Sequence, residues 1–367
     1  SPQFWGRRVR FHSPEYFVAQ LEQLSRKGIS FFYVSDDTFT MREDRVINIC
    51  KMIVAKGLKI SWFAISRVNC VSEEMLYWMR KAGCIQISYG VESGSEKIRQ
   101  TLCKNIKAED IKRAFTLTAR YGILPRAYFI YGSPGETEET IQETVDLMHE
   151  IRPLSMVSYI LDIFPGTALY EDFQQRTTLG DNIWLERIED IMYCETDQKL
   201  SENVILSFGR KLRTEYYRSL PGFADAISLA DREDLYESHA EFLSRLGMTF
   251  SHGDYAAVDA ILDKEGVAER LFKRALSYFP DHRAYLGLGI LKQKQGKYKE
   301  SIALLSEGEK HFPASEQLAL CLGLSHMNLA HYTKALQCFD RFPDSPQVSP
   351  YRTACHRALG HPEQKAP

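Results

Sequence analysis

The sequence has no two closely spaced cysteines. Its eight cysteines, at 50, 70, 84, 103, 194, 321, 338 and 355, come no nearer than 14 residues to one another. No C-x-x-C or C-x-x-x-C loop for zinc or an iron–sulfur cluster can therefore be written from it. The cysteines are too sparse for a disulfide scaffold, and reduced thiols in a cytoplasmic protein are expected. A basic excess is missing as well. Lys and Arg total 46 against 48 Asp and Glu, a net charge of −2, which removes the global electrostatic case for nucleic acid. No apolar run approaches the ~18 residues that span a bilayer, so no membrane association is expected. The histidines show neither H-E-x-x-H spacing nor a triad arrangement, which disfavours a hydrolytic metal site. Gly90-x-x-x-Gly94 is followed by no Lys-Ser/Thr pair and is not a phosphate loop. The chain opens on Ser1-Pro2-Gln3-Phe4-Trp5-Gly6, without an initiator Met or the apolar stretch of a signal peptide, and is expected to begin inside a longer protein.

What is present is globular. At 44% hydrophobic over 367 residues the chain is no disordered polymer, and its length suggests two or three domains. From Phe11 to about Tyr170, short β-rich runs alternate with amphipathic helical segments. Ser13-Pro14-Glu15 opens a helix with an N-cap and a proline at the first helical position, and Gly28 closes it. A second helix, Arg42–Lys56, stops at Gly57. A third is capped by Ser72, carries Glu73 and Glu74 in its first turn, and ends at Gly83. Helices are also expected over Ala108–Tyr121, Glu138–Ile151 and Ser201–Leu220, the last closed by Pro221-Gly222. Strands are read at Ile29–Val34, Lys59–Ile65, Ile85–Val91, Arg126–Tyr131 and Val157–Ile163. Their starts are 30, 26, 41 and 31 residues apart, the length of a βαβ unit. Continuously apolar strands with intervening helices predict a parallel sheet covered by helices, either open and doubly wound or an (α/β) barrel.

From about Leu235 the pattern changes to a repeat of 34 residues: Leu286–Ile290 aligns with Leu320–Leu324, and Tyr298 with Tyr332. Small, large and aromatic residues at fixed places, with Pro closing the second helix, resemble tetratricopeptide repeats that stack into a short solenoid. Cys321, Cys338 and Cys355 recur every 17 residues, half a repeat, as small packing residues would.

Polar and glycine-rich clusters directly follow four of the strands: Ser35-Asp36-Asp37-Thr38, Glu92-Ser93-Gly94-Ser95, Gly132-Ser133-Pro134-Gly135-Glu136 and Phe164-Pro165-Gly166-Thr167. In both parallel architectures ligands bind at the carboxyl ends of the strands, so the four clusters mark one ligand-binding rim. Each has a structural alternative. Asp36-Asp37 could cap the next helix, and Ser93 and Ser95 could be N-caps. Thr137 or Thr140 could cap Glu138–Ile151, with Thr140–Glu143 spaced as a capping box, and both Pro-Gly pairs are ordinary turn dipeptides. The basic segment Arg7-Arg8-Val9-Arg10 could meet phosphate or simply be solvated.

In order, FWGRRVRFHSPE, VSDDTFT, SYGVESGSEKIRQTLCKN, YFIYGSPGETEET and DIFPGTALYE resemble the radical S-adenosylmethionine (radical SAM) superfamily, in the branch that carries a cobalamin-binding domain. The resemblance covers roughly residues 1–175. It implies a partial (β/α)6 barrel lacking its first strand, a helical tail over 176–234, and the repeats over 235–360. The cofactors it implies are S-adenosylmethionine and a 4Fe-4S cluster with ligands upstream of Ser1, plus cobalamin on an upstream domain. Carried over residue by residue, Asp36 and Asp37 fall where the methionyl amino group binds, and Glu92 and Ser93 near its ribose and carboxylate. Arg126 falls where a cation meets the cofactor carboxylate, Tyr131, Gly132 and Gly135 against the adenine, and Pro165 at the sixth-strand turn. The cluster cysteines and metal ligands of the family are absent from this chain. The expectation is thus a truncated radical SAM core, enzymatic in its full-length parent and inactive alone, with a protein partner on residues 235–360. The alternative is a non-catalytic scaffold acting through the repeats.

Overall fold

The computed structural model describes residues 6, 8–177, 180, 182–186, 191–192 and 199–360; Ser1–Trp5, Arg7 and Cys194 lie outside the described residues. The chain divides into two compact units, Ser1–Ala230 and Asp231–Pro367.

In the first unit, α1 (Pro14–Arg26) starts where Ser13 Oγ accepts the Tyr16 N–H, with Pro14 at the first helical position. It leads to β1 (Phe31–Val34), α2 (Glu43–Ala55) and β2 (Ser61–Ser66). Helix α3 (Glu73–Lys81) is capped by Ser72, whose Oγ accepts the Met75 N–H. Then follow β3 (Cys84–Glu92), α4 (Glu96–Thr101), α5 (Ala108–Arg120), β4 (Leu124–Tyr131), α6 (Glu138–Ile151) and β5 (Ser155–Ile160). The five strands form one parallel sheet in the order β1-β2-β3-β4-β5. A doubly wound sheet reverses its strand order part-way; this order never reverses, so the (β/α) barrel arrangement is the one adopted.

Strand alternation makes the two faces of the sheet different. Trp62, Ala64, Ile87, Tyr89, Ala127, Phe129 and Tyr131 are buried. Trp62 Nε1 donates to Ala82 O at 2.8 Å, and Tyr89 Oη meets Thr118 of α5 at 2.7 Å. On the opposite face Phe31 and Tyr33 remain 55% and 49% exposed and Tyr159 54%. This is the concave side that a closed barrel turns inward.

Four local expectations differ. The run Val157–Ile163 breaks at Leu161, whose N–H turns to Tyr131 O (2.8 Å). The residues beyond it form β6 (Asp162–Ile163), paired antiparallel with a strand at Ile191–Met192. Helix α7 (Glu202–Asp225) passes through Pro221 instead of stopping at Leu220. Phe223 and Ala224 are buried beyond the proline, so their packing offsets the backbone bond it removes. Thr137, not Thr140, is the N-cap of α6, with Thr140 as the third-position partner of the capping box. Asp36 and Asp37 cap nothing; a single 3-10 turn follows from Thr38, without a side-chain cap bond.

The second unit is helical: α8 (Tyr236–Ser251), α9 (Lys264–Tyr278), α10 (His282–Lys294), α11 (Tyr298–His311), α12 (Glu316–Asn328), α13 (Tyr332–Phe339) and α14 (Ser349–Ala358). A Cβ added at Gly289 would meet the Leu305 side chain, and one added at Gly323 the Phe339 side chain. Both partners of this contact recur after 34 residues, so the sequence period is a packing period. Among the described residues no helix is long and apolar enough to cross a membrane.

Gly94 sets how closely the loop after β3 approaches α6. Its N–H donates to Thr144 Oγ1 at 2.9 Å, and a Cβ there would fall on the backbone of Glu143 and Thr144. Backbone cannot yield as a side chain can, so Gly94→Ala should cost about 3 kcal/mol. The expected drop in thermal midpoint is about 6–12 °C for a unit of this size. An unchanged melting curve would show that the loop does not bear on α6.

Candidate functional site

The carboxyl end of β3 is irregular, and the irregularity aims a side chain. The pairing register with β4 slips between Gly90 and Glu92, a β-bulge that leaves Val91 extra. Glu92 itself sits at φ 66°, in the left-handed region that residues with a Cβ adopt at a cost of about 1–3 kcal/mol. Bulges re-aim side chains beside functional sites. Here the Glu92 carboxylate folds back over its own strand and pairs with Lys104 Nζ at 2.5 Å. A Cβ built on Gly90 would lie 2.5 Å from Glu92 Oε1 and 2.9 Å from Lys104 Nζ, so only glycine leaves room for the pair.

Lys104 reaches this place because α4 ends in a Schellman closure. Cys103 is left-handed at φ 52°, its N–H bonds Gln100 O at 2.9 Å, and the Lys104 N–H bonds Arg99 O at 2.8 Å. The loop between Glu92 and α4 is fixed from inside. Ser93 is fully buried; its Oγ accepts the Ser95 N–H (3.1 Å) and meets Thr144 Oγ1 (3.2 Å). Arg99, 4% exposed, donates Nη1 to Ser93 O (3.0 Å) and Gly94 O (2.8 Å). Burial holds its guanidinium below the usual arginine range.

The turn after β4 is the second half of the rim. Tyr131 is buried on the covered face, where a Cβ on Gly209 of α7 would collide with its ring; its hydroxyl accepts from Arg213 Nη1 (3.5 Å). Gly132 and Gly135 are both left-handed. The Gly132 N–H donates to Glu136 Oε2 at 2.5 Å, while Glu136 Oε1 and the buried Ser133 hydroxyl have no hydrogen-bond partner. Desolvation raises the Glu136 carboxyl to about 7, against the lowering effect of the Gly132 and Ser133 backbone N–H groups.

The β3 and β4 turns are brought together. Gly94 bonds α6, and a Cβ on Gly135 would lie 4.0 Å from Lys97 Nζ of α4. Asp36 and Asp37 are exposed at the carboxyl end of the outer strand β1, and Asp36 faces the Arg45 guanidinium. Pro165 is exposed in the turn after β6 on the other flank. Arg126 lies five residues before the end of β4, roughly 16 Å below the rim at the strand rise. There its Nε donates to Ser155 Oγ at 2.9 Å. Three residues with evident work at the rim, Lys104, Arg99 and Glu136, were not singled out by sequence. Lys104 and Arg99 depend on a chain reversal that hydrophobic periodicity does not encode. Glu136 stood inside a quoted motif, and its signal was a lone acid among turn residues.

The sequence model of the radical SAM superfamily matches residues 2–148. This stretch belongs to the radical SAM superfamily. A protein of Pyrococcus horikoshii named as an uncharacterized methyltransferase is 33% identical over 168 residues, 46% of this chain and 37% of its own. The anaerobic magnesium-protoporphyrin IX monomethyl ester cyclase of Cereibacter sphaeroides is 29% identical over 184 residues, 49% and 30% of the two chains. The bacteriochlorophyllide d C-12(1)-methyltransferase of Chlorobaculum tepidum is 23% identical over 224 residues, 59% and 48%. The chain therefore spans less than half the length of these three curated relatives, which include enzymes. The radical SAM methyltransferase TsrM of Kitasatospora setae, solved with cobalamin and a [4Fe-4S] cluster, aligns at a TM-score of 0.43 and 17% identity, over 74% of this chain and 56% of that one.

The radical SAM fold implies an iron–sulfur cluster, and the described thiols do not fit one. Among the described residues no group of three or more Cys, His, Asp or Glu could hold a metal. Cys50 and Cys84 are buried, and desolvation pushes the Cys84 thiol up to about 12, the opposite of a ligating thiolate.

Glu136 makes the radical SAM unit sensitive to pH. Its carboxyl titrates near 4.5 when unfolded and about 7 when folded, so the folded state holds the proton more tightly. The contribution is complete below pH 4.5 and is lost as pH rises through 7, an order-of-magnitude loss of about 3 kcal/mol. Glu136→Gln, neutral at every pH, should flatten the decline in thermal midpoint between pH 5 and 8. Parallel wild-type and variant profiles would assign the decline to other groups.

Proposed function

We propose that the first unit binds S-adenosylmethionine across the β3 and β4 turns, as the cofactor-binding core of a radical SAM enzyme in the cobalamin-dependent, methyltransferase-containing branch. The observation that carries this reading is the Glu92–Lys104 pair held over Gly90 on a strained bulge. A methionyl tail is a zwitterion and needs an anion for its ammonium and a cation for its carboxylate. The pair presents both at the rim and can exchange one internal contact for two with the ligand. Lys104 thereby takes the part that the family resemblance gave Arg126, which lies too low on its strand. Asp36 and Asp37 add negative charge for the ammonium and sulfonium from β1. The left-handed turn at Gly132 and Gly135 leaves backbone open to a flat base. Ser93, bonded inward, supports the turn instead of meeting ligand.

When bound, S-adenosylmethionine supplies a carbon–sulfur bond whose reductive cleavage yields a 5′-deoxyadenosyl radical. The described residues hold no cluster to deliver that electron. The part proposed for this chain is accordingly to bind and orient the cofactor, and residues 1–367 alone are read as inactive. Cobalamin use is part of the reading and is supported by the curated relatives' methyl-transfer names. The second unit is read as tetratricopeptide-type repeats that present a partner-binding surface, supported by the glycine contact repeated after 34 residues. A cytoplasmic setting is supported by the seven described cysteines, all free.

Isothermal titration of the full chain with S-adenosylmethionine tests the cofactor assignment. Glu92→Gln and Lys104→Ala should each weaken binding about tenfold or more, the scale of a lost charge-assisted contact, while the thermal midpoint stays within a few degrees. Undiminished affinity in both variants would remove the pair from the cofactor site.

A further inference from the structure

The open face of the sheet is furnished for a ligand of its own. Cross-strand register puts Tyr33, Phe63, Gln86, Ser88, Gly90, Arg126, Tyr128, Ser155 and Tyr159 on one side of the five strands. The aromatic rings fall into two groups. Tyr33 and Phe63 stack at 4.5 Å between centroids and 20° between planes, with Phe31 5.6 Å from Phe63. Tyr128 and Tyr159 lie 6.0 Å apart on β4 and β5. The intervening strand β3 offers no ring at all, so the groups stand roughly two strand spacings apart, about 10 Å. Exposed aromatic surface of this extent is a binding feature in a folded protein.

Between the two groups sits one cation with little to do. Arg126 has five N–H donors, and among the described residues its hydrogen-bond partner is a neutral hydroxyl, Ser155 Oγ. It forms no ion pair with a described residue. Its cross-strand neighbour is Ser88, itself approached by Gln86 Nε2 at 3.3 Å. No carboxylate faces this polar patch, in contrast to the Glu92–Lys104 pair higher on the same face. A half-buried guanidinium left with hydroxyl and amide neighbours is complementary to a carboxylate or another planar anion.

We infer that this face binds the substrate, and that the substrate is a flat, conjugated ring system of more than one ring carrying an anionic group. The ring body lies between Tyr33–Phe63 and Tyr128–Tyr159, and the anion pairs with Arg126. A single small ring would reach one aromatic group only, and an aliphatic acid would gain nothing from the stacking geometry. The inference rests on the reading of the β3–β4 rim as the cofactor site, because that rim borders the same face and places the ring beneath the Glu92–Lys104 pair.

Three fluorescent or competing probes separate the requirements on the full chain: 1-pyrenebutyrate (flat and anionic), 1-pyrenebutanol (flat and neutral) and decanoate (anionic and aliphatic). Pyrenebutyrate should bind about tenfold or more tighter than either of the others. Arg126→Met should reduce it to the level of pyrenebutanol, Arg126→Lys should restore part of the difference, and Tyr128→Leu should weaken both pyrene probes together. In each Arg126 variant the affinity for S-adenosylmethionine should be unchanged. Equal binding of pyrenebutanol, or displacement by decanoate at matched concentration, would overturn the inference and leave a nonspecific apolar surface. Loss of S-adenosylmethionine affinity in Arg126→Met would also overturn it, by returning Arg126 to the cofactor. If S-adenosylmethionine binds nowhere while the pyrene ranking holds, the rim assignment fails and the ring site stands.

Discussion

Everything at this site depends on the handedness of parallel connections. Each crossover from one strand to its neighbour must be right-handed, and the five strands follow one another without reversal, so every connecting helix falls on the same side of the sheet. The pleat then separates the strand residues into two populations. Those facing the helices, such as Trp62, Tyr89 and Phe129, are buried to a few percent or less. Those facing away keep much of their surface. A doubly wound sheet of the same strands would have covered both faces and left ligands only the crevice at a reversal point. One-sided covering gives this chain both a rim and a floor.

The rim is built by departures from regularity. A regular β3 would point Glu92 to the face its register dictates and leave Lys104 elsewhere. The bulge at Val91 and the left-handed Glu92 rotate the carboxylate over Gly90, and the Schellman closure of α4 returns the lysine to it. The backbone cost of these conformations is held by neighbours that carry no charge to ligand: Ser93, Thr144 and the carbonyl clasp of Arg99. Opposed charges positioned by strain in this way are prepared for a partner carrying both signs.

Much of the fold was legible because its signals are local. Ser13-Pro14 and Ser72 cap the helices they were read to cap, and the 34-residue period reappears as a glycine packed on Leu305 and then on Phe339. Choosing barrel over doubly wound sheet was not local, since it turns on strand order alone. Pro221 misled because a proline's cost is fixed while the burial of Phe223 and Ala224 that offsets it is tertiary. The site was half legible. Turn composition located the rim, yet which residue there is the cation was set by a chain reversal twelve positions after Glu92. Arg126 was chosen for its strand, and the strand carries it too deep.

The electrostatics of the rim also depend on a helix that the superfamily match does not reach. The match ends at residue 148, whereas α7 begins at Glu202. Ile205 of that helix would lie about 3 Å from a Cβ on Gly132, and Gly209 admits the Tyr131 ring. Water is thereby kept from the turn that holds Glu136, and desolvation raises that carboxyl to about 7. A fully ionised Glu136 would put a second anion beside Glu92 and compete for Lys104; a substantially neutral one leaves the pair balanced. A segment without family motifs thus helps set the charge state of the site, by exclusion of solvent and without contributing a charged group to it.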